Sequence, residues 1–505
     1  MSRHQNHFTI VNAKLYDGTG SKPYMADVTV ENGVITAVGP AGTLPSAGAV
    51  IDAGGCALTP GFIDAHSHSD NSILKTPLAC SKISQGITTE IVGHCGFTEF
   101  NGNSTDLDEY EQLYTAAAPS MNIACMIGHN TLRLKVLGWE KRIATAAERA
   151  QMKGYLEAAL EQGAAGMTSG LWYIPGVYSD TEEVCEVASA LRGTTKPYAT
   201  HMRSEDDRLL EAIEEAVTIA KAGSGSLLIS HFKACNAWNW HKKDAALALV
   251  EKYRAEGMDI LADRYPYLYT GTALRMALPP PYDSIAGIYE LLHDNSEEKQ
   301  KVIELFRTHG DRLTPWDKII VIDSDNPEQQ KYCGKTVADV GVMMGLTPEE
   351  AYVELISNGR QNAAYGKMCV QNLRKLYARD WVMPGSDSSS RSFVSPICHP
   401  REYGTMPLFF RYACESAMPE NVIYRMTGLP AKKFNLKNRG TVAPGFAADL
   451  VLLQPDEFNA PTDYAKPDQM AQGVSKVFVN GELVFTAGNR TDGVAPGAGD
   501  FIRIK

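Results

Sequence analysis

Eight short apolar runs, each closing on a polar residue, constrain this chain more than any other feature. They end near His66, Cys95, His129, Ser169, His201, His231, Tyr265 and Asp387. Helical periodicity lies between most of them, for example over 182–191 and 208–222. Strand and helix alternating eight times predict an α/β chain folded as a parallel (β/α)8 TIM barrel. One interval breaks the rhythm. From Tyr265 to Asp387 the chain is too long for a single βα unit. It contains Pro279-Pro280-Pro281 and a helical stretch over 296–308. We therefore expect a distorted barrel, with an insertion over about 282–345 placed before the last barrel strand.

Both ends of the chain read differently from its middle. Strand-like runs over 27–30 and 34–38 flank Asn32-Gly33, and runs over 476–479 and 483–485 flank Asn480-Gly481. Asn-Gly between apolar runs is a strong hairpin signal, because both turn residues need positive φ. A small β-sandwich domain built from residues 1–59 and 441–505, around a barrel over 60–440, accounts for the pattern.

Composition narrows the function. A net charge of -11 disfavours nucleic acid as a partner. No apolar run is long enough to span a membrane, and Met1–His7 has no apolar stretch behind a basic start. The ten cysteines are scattered without a C-x-x-C pair, as expected of free thiols in a reducing compartment. A cytoplasmic enzyme acting on a small molecule is the expectation.

The strand ends carry the chemistry. His66 and His68 lie two apart at the end of an apolar run, so both imidazoles face one side. Cys95 ends the second run between Gly93 and Gly96, which permit close backbone approach. Beside it, His94 is either a ligand or a partner of one. His201 and His231 end the fifth and sixth runs, and Asp387 the eighth. Singly, each has an ordinary alternative as a core histidine, a buried thiol or a turn aspartate. Together they put imidazole, thiolate and carboxylate at the C-terminal mouth of one barrel, a donor set that suits zinc.

This constellation resembles the amidohydrolase superfamily, which is marked by His-x-His on strand 1, His on strands 5 and 6, and Asp on strand 8. The resemblance extends to the D-aminoacylases (N-acyl-D-amino-acid deacylases). It rests on Gly61-Phe62-Ile63-Asp64-Ala65-His66-Ser67-His68, Thr200-His201-Met202-Arg203-Ser204-Glu205, Tyr265-Pro266-Tyr267, His399-Pro400-Arg401-Glu402-Tyr403-Gly404-Thr405 and the run from Gly440 to Gly445. Many amidohydrolases bridge two metals with a carboxylated lysine on strand 4. Here that strand reads Ala165-Gly166-Met167-Thr168-Ser169-Gly170 and has none. The D-aminoacylase-like solution uses a strand-2 cysteine instead. The resemblance then implies one tight zinc held by Cys95, His201 and His231, and a second, weaker position lined by His66, His68 and Asp387.

The implied reaction is hydrolysis of an N-acyl-D-amino acid to a carboxylate and a free D-amino acid. Zinc lowers the pKa of a water to about 7, and Asp387 takes its proton and passes it to the leaving amine. By the same resemblance, Lys233, Tyr265 and Arg401 grip the substrate α-carboxylate. We add Arg275, after the divergent turn Leu268-Tyr269-Thr270-Gly271, as a residue of the side-chain pocket. Position 94 is His where the family usually has Asn, and Ser388-Ser389-Ser390 replaces the usual Gly-led text. The alternatives are a cyclic-amide hydrolase of the hydantoinase or dihydroorotase kind, disfavoured by the missing strand-4 lysine, and a non-catalytic scaffold, which would be expected to have lost ligands.

Overall fold

The computed structural model describes residues 6–45, 48–100, 102, 104–285, 287–308, 314–391, 398–488 and 496–505. The first five residues, part of the segment read for a leader, lie outside them.

The barrel strands are Phe62–Asp64, Ile87–Val92, Asn122–Cys125 continued by Ile127–Gly128, Met167–Gly170, Tyr198–His201, Ser226–Ile229, Asp259–Arg264 and Val382–Pro384. We call them strands 1 to 8. They are short and almost wholly buried, as a parallel sheet covered on both faces requires. Parallel pairing runs from strand 1 to 3 and from strand 3 to 8. Strand 3 is interrupted at Met126, whose N–H still reaches Val92 O at 2.9 Å. Between strands 8 and 1 the ladder reduces to a few bonds, including Ala65 N–H to Pro384 O at 3.3 Å and Asp387 N–H to His66 O at 2.9 Å. The seam of this distorted barrel thus runs directly under the mouth.

Helices cover the outside. Ala146–Gln162 starts with a capping box, Thr145 and Glu148 satisfying each other's backbone N–H. Leu209–Ala222 buries Leu209, Ile213, Val217 and Ala220 at helical spacing against the strands.

The two ends of the chain share one eight-stranded sheet, in which Leu450–Leu453 pairs with Ala57–Pro60. The sheet curls over Ile10, Val28, Ile35, Leu450 and Phe478. It returns on itself where Ile35 N–H donates to Phe446 O at 2.8 Å. Both Asn-Gly pairs turn at positive φ, 52° and 80° at Asn32-Gly33, 47° and 78° at Asn480-Gly481. The extreme C-terminus leaves this sheet: Phe501–Ile502 adds in parallel to strand 3.

Between strands 7 and 8 lies a unit with its own core around Leu274, Phe306, Val321, Tyr352 and Tyr365. Its antiparallel sheet orders Tyr269–Ala273, Gln361–Gly366 and Ile319–Ser324. It reaches beyond the expected 282–345 at both ends. The excess matters, because Thr270, Gly271 and Thr272 form a wall of the cleft over the barrel mouth.

Candidate active site

Cys95 Sγ is the hub of the mouth. His66 Nε2 and His231 Nε2 each lie 3.4 Å from it, and His201 Nδ1 lies 3.9 Å away. His68 Nε2 and His66 Nε2 face Asp387 Oδ1 at 3.0 and 3.4 Å. Donor atoms of His66, His68, Cys95 and Asp387 lie within 4.8 Å of one another, as do those of Cys95, His201 and His231. All six ligands inferred from the sequence are therefore brought together, in two groups that share Cys95.

Backbone geometry aims three of them. Cys95, His231 and Asp387 have φ of 52°, 38° and 51°, in the left-handed region that costs a non-glycine residue roughly 1–2 kcal/mol. The fold holds them there. His231 N–H donates to Asp263 Oδ1 at 2.9 Å, and Asp387 N–H donates to His66 O at 2.9 Å. Behind Cys95, strand 4 must carry Gly170, since a Cβ there would meet Cys95 O at 2.0 Å.

Each cysteine-facing imidazole has its other nitrogen turned to a carboxylate. His66 Nδ1 lies 3.1 Å from Asp263, His231 Nδ1 lies 2.8 Å from Glu205, and His201 Nε2 lies 3.7 Å from Glu205. This is how proteins orient imidazole donors around a metal. Burial alone would raise the Cys95 thiol, but His66 and His231 hold it well below the ordinary range, which favours the thiolate. Burial likewise raises Asp387, yet Arg401, His231, His68 and His66 keep it well below the carboxylate range. Burial opposes a proton on His68, which its contacts with Asp387 and Cys95 outweigh, lifting it to about 10.

The charge balance fits a divalent cation. Lys233 pairs with Glu205 at 2.6 Å and Arg401 pairs with Asp387 at 2.7 Å. Cys95 and Asp263 are left facing imidazoles, with no lysine or arginine in ion-pair contact among the described residues. A thiolate and several imidazoles are also the donor types that select zinc among the divalent metals.

A cleft opens above the hub, lined by Trp172, Tyr173, His201, His231, Lys233, Tyr265 and Asp387 among others. Lys233 and Tyr265 thus face it. Arg401 does not line the cleft but contacts residues that do, with Cζ 4.9 Å from the Tyr265 ring centroid and Nη2 3.4 Å from Gly271 O. Arg275 is apart from the metal-facing cleft. It lines an adjoining outer cleft that shares Trp172, Asp206 and Lys367 with the first, and its Nη1 is buried without a hydrogen-bond partner. His94 belongs to neither ligand group. It stacks on His66 at 4.1 Å, fully buried, with both ring nitrogens unpartnered.

Sequence reasoning passed over Glu205 and Asp263. Glu205 is four residues beyond His201, and Asp263 is two before Tyr265, so both spacings were present in the text. It also passed over Lys82, which lies beneath the seam and reaches Ser386 Oγ across 304 residues.

Residues 49–288 match the model of the amidohydrolase family. The chain is 31% identical to an N-acyl-D-aspartate deacylase of Alcaligenes xylosoxydans xylosoxydans, over 98% of this chain and 94% of the relative. It is 30% identical to a D-aminoacylase of the same organism, over 94% of each. Among solved structures, an N-acyl-D-glutamate deacylase from Bordetella bronchiseptica, complexed with zinc and a phosphonate mimic of the tetrahedral intermediate, superposes with a TM-score of 0.82. Its sequence is 29% identical, and the match covers 99% of this chain and 100% of that one. The chain belongs to the D-aminoacylase branch of the amidohydrolase family.

Proposed function

We propose that this protein hydrolyses the amide bond of N-acyl-D-amino acids with zinc as its metal, releasing a carboxylate and a free D-amino acid. The observation that carries the reading is the hub: three imidazoles, each turning one nitrogen to the Cys95 thiolate and the other to a carboxylate. Cys95, His201 and His231 would hold the tight zinc, and His66, His68, Cys95 and Asp387 would line the weaker position. When bound, the metal supplies an acidified water and a Lewis acid for the amide carbonyl.

The remaining work falls to the chain's own side chains. Asp387, at the cleft base, takes a proton from the attacking water and returns it to the leaving amine. Lys233, Tyr265 and Arg401 bind the substrate α-carboxylate. Arg401 Nε is buried without a partner, so the guanidinium can accept a second carboxylate while keeping Asp387. A carboxylate fixed on one side of the metal site lets a single α-carbon configuration present its amide to the water. Arg275 favours substrates whose side chain carries a second carboxylate.

Strand 4 supports a linear over a cyclic amide. Its Thr168 Oγ1 is engaged with Gly93 O at 2.6 Å, and no lysine there offers a bridging carbamate. None of the ten cysteines forms a disulfide among the described residues, which favours a reducing, cytoplasmic setting. No helix among the described residues is long and apolar enough to cross a membrane.

The test is hydrolysis of N-acetyl-D- and N-acetyl-L-amino acids by zinc-loaded enzyme, followed by amine release. Turnover of the D series alone is expected. Equal turnover of both series, or hydrolysis confined to hydantoins, would overturn the reading.

A further inference from the structure

Beside the active-site cleft, beyond Lys233, three cations converge on a second, smaller pocket. Phe232, Lys233, Lys243, Arg264, Cys369 and Asn372 are among the residues that line it. Lys243 opens the helix Lys243–Ala255 and Arg264 ends strand 7, and they are 1% and 2% exposed. Lys233 has Glu205 as its counter-ion. The other two cations have no carboxylate in ion-pair contact among the described residues. Lys243 Nζ makes one long bond, 3.4 Å to Phe232 O, and sits 3.7 Å from that ring's centroid. Arg264 stacks its guanidinium 3.8 Å from the Tyr265 ring centroid and gives Nη2 to Tyr267 O at 2.9 Å. Its Nη1 is buried with no partner.

A buried cation without an anion is strongly disfavoured. Lysine can escape by losing its proton, and burial with Arg264 and Lys233 nearby does push Lys243 well below its ordinary range. Arginine cannot escape this way, so a permanent positive charge borders the cavity whatever Lys243 does.

We propose that this cavity binds one small monovalent anion of the halide class, held between Lys243 and Arg264. The unpaired charge on its wall selects for it. The space is small, about 10 Å3. Much of the remaining wall is apolar, including Phe232, Leu373 and Leu376. An anion accepts from the donors that Lys243 and Arg264 leave unused. The site communicates with the catalytic cleft, because Lys233 lines both cavities and Arg264 stacks on Tyr265. An anion here offsets the positive charge behind two residues that face substrate.

The experiment uses the full-length enzyme dialysed into sodium gluconate. Chloride replaces gluconate at constant ionic strength while the melting temperature is followed, and crystals are soaked in bromide. The expected result is a saturable rise in melting temperature with chloride and a single anomalous peak between Lys243 Nζ and Arg264 Nη1. Lys243→Met and Arg264→Gln should each abolish both signals. Absence of bromide density at that point overturns the proposal, as does a halide response that persists undiminished in both variants. Should neither variant fold, the bromide experiment on wild type decides alone.

Discussion

Arg401 Nη1 lies 2.7 Å from Asp387 Oδ2, so the cation expected to hold substrate is already engaged with the carboxylate expected to move the proton. The pairing leaves Nε without a partner and Nη2 with only a 3.4 Å bond to Gly271 O. That spare donor capacity is what a second carboxylate would use. Replacing the α-carboxylate of an N-acetyl-D-amino acid by a carboxamide should therefore cost about 2–4 kcal/mol in kcat/KM. Arg401→Ala should erase most of that difference. If wild type treats acids and amides alike, the clamp is wrong.

Cys95 touches three imidazoles and joins both ligand groups. Cys95→Ala should purify with much less zinc and without activity, as measured by elemental analysis beside turnover. Chelation of the wild type should abolish activity, and added zinc should restore it. A variant retaining full zinc would remove Cys95 from the metal site.

Asp387→Asn keeps the Cys95, His201 and His231 group intact. It should bind metal at that group yet lose about 10²–10⁴-fold in kcat, the usual worth of a positioned acid–base group. Near-normal kcat at unchanged metal content would assign the proton to another residue.

Arg275 offers a buried, unpartnered Nη1 to the outer cleft. Its charge should favour N-acetyl-D-glutamate over N-acetyl-D-leucine, and Arg275→Ala should cut that preference by about tenfold or more, as expected for a charged hydrogen bond. Unchanged relative rates in the variant would place the side-chain pocket elsewhere.

Lys82 is buried beneath the seam, with Nζ 3.0 Å from Asp64, 2.8 Å from Glu90 and 2.7 Å from Ser386 Oγ. It thereby ties strands 1 and 2 to the segment after strand 8. Lys82→Met strands two buried carboxylates and should destabilise the fold by about 3–5 kcal/mol in urea unfolding. A loss below about 1 kcal/mol would mean that the seam is held by its few backbone bonds.

The barrel strands, the Asn-Gly hairpins and the cluster of donor residues at the mouth were legible in the sequence because each depends on local regularities. Alternation puts His66 and His68 on one side of a strand end, Asn-Gly supplies positive φ, and a polar residue closing an apolar run marks the mouth. What the ligands do to one another came from the tertiary structure. His66 meets Asp263 across 197 residues, and Lys233 is neutralised by a glutamate that no strand pattern singles out. Arg275 entered an adjoining cleft instead of the metal-facing one, because the inserted unit begins earlier than its prolines suggest and Trp172, Asp206 and Lys367 form the wall the two clefts share. Phe501–Ile502 left the small sheet for barrel strand 3, since two residues carry too little pattern to name a partner. Periodicity fixes which way a side chain points from its own element. Its counter-ion, its cavity and its charge state are set by groups that only the closed barrel brings within a few ångströms.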